Sequence, residues 1–111
     1  MVPVPEEPVS QVVFVGDYLQ LVFQDDRFSF YDVVEVASEQ RLLTRGQLGF
    51  CDALVDLIGE RAASVALGDT DELTIAFDCG SALRARRGSA AGPEAWQFNG
   101  ADGQIIVGRA S

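Results

Sequence analysis

The sequence predicts an α+β fold: a mostly antiparallel sheet of about seven to nine short strands packed on one central helix, at about residues 45–58. Three observations predict it. Short alternating apolar runs, separated by polar or glycine-bearing turns, fill most of the chain. Only the stretch between Thr44 and Gly59 has apolar residues at helical spacing with signals at both ends. Strands precede and follow that one helix, so there are no alternating βαβ units from which to build a parallel sheet.

Taken in order, residues 1–8 hold three of the four prolines and two glutamates, and read as an extended, flexible tail before a single domain at 9–111. Val9 to Val15 is β-rich, and Gly16-Asp17 marks a turn. Tyr18 to Phe23 alternates, with Leu19, Leu21 and Phe23 on one face. Gln24 to Arg27 is a polar break with hairpin character. Phe28 to Ala37 resumes the strand pattern, and Phe28, Phe30, Val34 and Val36 share one parity. Asp32 interrupts that parity, which predicts a bend or bulge there.

For the helix, Thr44 and Gln47 have the spacing of a capping box, and Leu43 and Leu48 that of a hydrophobic staple. Gly59 supplies the stop. On a 3.6-residue period Leu48, Phe50, Cys51, Leu54, Val55, Leu57 and Ile58 cover about half the circumference. An arc that wide implies deep burial against a sheet, or burial by a partner. Asp52, Asp56 and Glu60 line the opposite side.

Ser64 to Leu67 and Leu73 to Phe77 then read as strands around a Gly68 to Glu72 loop, and Cys79-Gly80-Ser81 turns the chain into Ala82 to Arg87. After a Gly88 to Pro93 loop, Glu94 to Phe98 and Gln104 to Arg109 form a last pair. The Asn99-Gly100 and Asp102-Gly103 turn signals join them. A repeat emerges: Val15-Gly16-Asp17 before Leu19 to Phe23 parallels Leu67-Gly68-Asp69 before Leu73 to Phe77, with two extra residues in the second copy. Two ordinary hairpins sharing β propensity would give the same pattern.

L-x-L-x-F-x-D, the helix end Leu57-Ile58-Gly59, Leu73-x-Ile75-x-Phe77-Asp78-x-Gly80 and Glu94-Ala95-Trp96 before a Gly-Ala-Asp-Gly turn form a set. Over residues 11–108 this set resembles a family of short uncharacterised proteins from high-GC bacteria, which show L-x-F-D-D-G twice and a late E-x-W. The resemblance implies a fold and no catalytic residue. The chain departs from the pattern in both turns, with Gln24-Asp25-Asp26 and Asp78-Cys79-Gly80.

Composition narrows the chemistry. Seventeen acids face eight bases, for a net charge of −9, which repels phosphate backbones and steers the chain towards basic partners. All eight bases are arginine. With no histidine, Ser-His-Asp and Cys-His catalysis and most catalytic zinc sites are excluded. Cys51 and Cys79 are the only thiols and lie in no CxxC, so they read as buried or idle in a reducing cytoplasm, without metal. No apolar run reaches the ~18 residues of a membrane helix, and Met1 to Pro8 lacks the basic end and apolar stretch of a signal peptide. These point to a cytoplasmic protein needing no cofactor.

Gly68 to Glu72 lacks the ligand spacing of a calcium loop and reads as a solvated turn. Asp25, Asp26 and Asp78 read as wet turn acids rather than a catalytic pair. Arg84 and Arg86 share a face, suited to an anion or to nearby carboxylates, and Trp96 and Phe98 read as core. The ridge of Asp52, Asp56 and Glu60 puts like charges at i, i+4 near a helix C-terminus, a small local conflict that marks a partner-binding surface. The leading expectation is therefore a non-enzymatic, immunity-protein-like module docking a basic protein partner, with homodimerisation covering exposed apolar surface. The alternatives are a small-ligand protein or minor enzyme, with Asp78, Arg84 or Trp96 at a pocket between sheet and helix, and a structural subunit of a larger assembly.

Overall fold

The computed structural model describes residues 2–16, 18–38, 41–68, 72–86 and 94–109. Asp17, the centre of the Gly68 to Glu72 loop, Arg87 and the Gly88 to Pro93 loop lie outside them. The chain is mostly antiparallel strand with one short helix, but the strands form two sheets rather than one. The first sheet has the order β1 (Gln11–Val15), β2 (Tyr18–Phe23), β3 (Asp26–Phe30), β9 (Glu94–Asn99) and β10 (Ile105–Arg109). The second has β6 (Ala62–Leu67), β7 (Leu73–Phe77), β8 (Ala82–Arg86), β4 (Val33–Ser38) and β5 (Arg41–Thr44).

Written this way, the orders match. Each half of the chain builds three consecutive strands of one sheet and sends its final hairpin to the other. The hairpins of the sequence repeat, β2–β3 and β7–β8, hold equivalent places, with Leu21 opposite Phe28 and Ile75 opposite Leu83. The crossing from sheet to sheet in the first half occurs at Tyr31 and Asp32, where the parity break predicts a bend. Parity survives the crossing: Phe28, Phe30, Val34 and Val36 are all buried.

Alternation builds the core directly. Leu19, Leu21, Phe23, Phe28, Phe30, Trp96 and Phe98 from the first sheet meet Leu73, Ile75, Phe77, Leu83, Val34 and Val36 from the second. The Phe23 and Phe77 rings stack between the repeated hairpins, 6.4 Å apart and 8° from parallel. Each large side chain buried here contributes roughly 1.5–3 kcal/mol.

The helix differs from expectation. α1 spans only Phe50–Val55, capped by Gly49 at φ +94° with no side-chain bond. Thr44 and Gln47 do make the capping-box contact, Thr44 N–H donating to Gln47 Oε1 at 2.7 Å, but it closes the turn after β5. Leu43 is buried as part of β5, a strand the sequence hides beneath the capping signal, so no staple to Leu48 forms. Turns carry the chain on to Gly59, whose φ of +93° ends the helical path. Phe50, Leu54 and Leu57 are buried, so α1 plugs the space beside β4 and is not a central platform. Among the described residues no helix is long and apolar enough to cross a membrane.

Residues 2–10 form no helix or strand, and Val2, Pro5 and Val9 are buried. Backbone bonds tie Val9 to Gly59 and Glu60, and Arg61 donates to the Glu6 carbonyl.

Candidate functional site

The apolar arc of the helical segment is split by burial. Phe50, Leu54 and Leu57 face the core, whereas Leu48, Val55 and Ile58 are 93%, 49% and 46% exposed, and Cys51 is exposed between them. Cys51 and Val55 share one side of α1 at i, i+4, and Leu48 and Ile58 are exposed in the turns at its two ends. Beside these run Asp52 and Asp56, both exposed and in no ion pair among the described residues. Glu60 leaves this ridge: the left-handed turn at Gly59 takes it off the helical path, and it is half-buried where its carbonyl accepts the Val9 N–H.

Beside the helix start lies a groove of about 500 Å³ lined by Phe14, Leu48, Phe50, Cys51 and Asp52, with Arg45 as its one cation among the described residues. Phe14 comes from β1 and is itself 44% exposed, so the groove joins the edge of the first sheet to the helix. Arg41 borders the other flank and donates to the Leu48 carbonyl at 3.3 Å, fixing the turn that presents Leu48. The arrangement offers a wide apolar contact edged by two carboxylates. The Cys51 thiol lies free among them.

The other candidate residues scatter. Arg84 and Arg86 sit on the outer face of the second sheet and share the buried carboxylate of Glu35, with Arg86 Nη2 3.3 Å and Arg84 Nη1 3.8 Å from it. Glu72 also faces Arg84 at 3.6 Å. The carboxylate reading of these arginines is therefore the one seen, and its signal was Glu35 on the outward parity of β4. Trp96 and Phe98 are core. Asp26 accepts the Ala101 N–H at 3.0 Å, tying the first hairpin to the β9–β10 turn, while Asp25 and Asp78 are exposed. Asp78 thus lies in an exposed turn, Arg84 on the outer face of the second sheet and Trp96 in the core, and the three do not share a pocket. Among the described residues no three His, Cys, Asp or Glu side chains gather as a metal site. Both thiols are free and exposed, so Cys51 is not the buried arc residue its spacing implies.

No family model, curated protein or solved structure matches the chain.

Proposed function

We propose that this protein is a non-enzymatic cytoplasmic binding module, immunity-protein-like in its mode of action, that docks a basic protein partner on the outer face of α1. The observation that supports this is the exposure of Leu48, Val55 and Ile58 directly beside unpaired Asp52 and Asp56. A short helix needs only one apolar side to hold the core. Apolar residues on the opposite side gain nothing in the isolated chain, and they supply the desolvated centre that interfaces require. The flanking acids and the net charge of −9 select a cationic partner and speed its approach. They also argue against a second copy of this chain at that face. An isologous contact would set Asp52 and Asp56 against their own equivalents.

The test is affinity capture from native lysate with the wild-type chain and two double variants, Asp52→Arg/Asp56→Arg and Leu48→Ser/Val55→Ser. One basic partner should be retained by the wild type, released as salt rises, and lost with either variant while both variants keep the wild-type melting temperature. Retention unchanged by both variants would refute the docking face. Co-purification in fixed stoichiometry that survives high salt would favour the structural-subunit reading.

A further inference from the structure

A second feature lies where β3 crosses into β4. The switch between sheets at Tyr31 and Asp32 leaves a cleft of about 540 Å³. Beneath it lie the core side chains Leu19, Phe30 and Val34, and its accessible lining is Tyr31, Val33, Arg45 and Thr44, whose hydroxyl donates to Gln47 Oε1 at 3.2 Å. Arg86 closes one wall, with its charge already shared with Glu35. Asp32 also lines the cleft and is itself engaged. Arg45 differs from these groups. Its Nη2 donates to the Gly16 carbonyl at 3.1 Å, which anchors the guanidinium at the rim, yet it is in no ion pair among the described residues. In a chain with seventeen acids and eight arginines, a guanidinium held over an apolar cleft by a neutral carbonyl keeps its charge and remaining N–H donors for something else.

We propose that this cleft binds a small organic monoanion, a carboxylate on an aromatic or branched apolar body. The body packs against the Tyr31 ring and Val33 at the mouth of the cleft, and the carboxylate meets Arg45. The charge of the whole chain sets the selectivity. Each added negative charge on a ligand meets the repulsion of the acid surplus, and the cleft has one uncommitted guanidinium to answer it. Dianions such as phosphate are therefore rejected, and neutral analogues lose the charge-assisted bonds. Arg45 also lines the groove beside the helix start, so the cleft adjoins the α1 face, but none of Leu48, Asp52, Val55 and Asp56 lines it.

Titration of the ¹⁵N-labelled full chain with benzoate, followed by amide chemical shifts at constant ionic strength, tests this. Benzoate should give saturable shifts centred on Tyr31, Thr44 and Arg45. Benzamide should bind about tenfold or more weakly, and inorganic phosphate should give no saturable shift there. Arg45→Gln should weaken benzoate about tenfold, whereas Arg27→Gln, an exposed arginine of β3 outside the cleft, should leave it unchanged. Absence of saturable shifts, equal binding of benzoate and benzamide, phosphate binding as tight as benzoate, or an Arg45→Gln protein that binds as the wild type would each overturn the proposal.

Discussion

The two sheets have one strand order and opposite chemistries. Across the middle of the first, on its outer face, run Val13, Gln20, Ser29, Gln97 and Val107; at the same places in the second run Ala66, Thr74, Arg84, Glu35 and Thr44. The first row is neutral, with Gln20 Nε2 donating to Ser29 Oγ at 3.1 Å. The second is ionic, centred on a carboxylate that two half-exposed arginines cover. The inner faces differ as well. Phe28, Phe30, Trp96 and Phe98 fill the first sheet, and at equivalent positions Leu83, Ala85, Val34 and Val36 fill the second. Large rings on one side need small side chains on the other, because sheets of fixed spacing leave a fixed volume between them. The repeated backbone therefore specifies pairing, and the departures from the repeat specify packing and charge.

This comparison can be broken first at its bulkiest point. Trp96→Ala should cost about 3–5 kcal/mol, and the equivalent truncation in the second sheet, Val34→Ala, about half that. Urea denaturation of the two variants measures the gap; equal losses would mean the aromatic layer is not the main support. Next comes Gly108, which pairs with Trp96 and whose added Cβ would fall inside the indole ring. Gly108→Ala should destabilise by about 1–3 kcal/mol, and by much less in a Trp96→Leu background. The ionic row is weaker. Glu35→Gln should cost about 1–2 kcal/mol, since the arginines it releases can turn to water. Rising salt should shrink that difference while leaving a Ser29→Ala difference unchanged. The smallest effect has the opposite sign. Gln24 opens the first hairpin turn at φ +55°, whereas in the longer second turn the positive φ falls late, at Gly80 with φ +95°. Gln24→Gly should stabilise by about 0.5–1 kcal/mol in the same denaturation assay.

Much of this was legible in the residues. Period-two alternation fixed the faces of β2, β3, β4, β7 and β9, because a side chain on the wrong face would bury a polar group or expose a ring. The repeat was visible at the only level a short apolar pattern allows, its turn and its alternating strand. Of the proposed docking face, Asp52 and Asp56 could be named from charge spacing, but their apolar neighbours could not be told from core, since Leu48, Val55 and Ile58 lie on the same apolar arc as Phe50 and Leu54.

What the sequence determined by itself was therefore local: strand parity, the break at Asp32, the turns at Gly59 and Gly103, and the acid surplus with no histidine, all set by side chains a few residues apart. Tertiary structure decided the rest. Whether ten strands close as one sheet or two depends on which strands far apart in the chain pair, β3 with β9 and β4 with β8, and no short pattern encodes that choice. The same pairing drew Leu43 into β5, shortened α1 to the turns that fill the space beside β4, and left one half of an apolar arc in water. Apolar spacing says only that a side chain gains by leaving water; which surface is there to receive it is a property of the assembled fold.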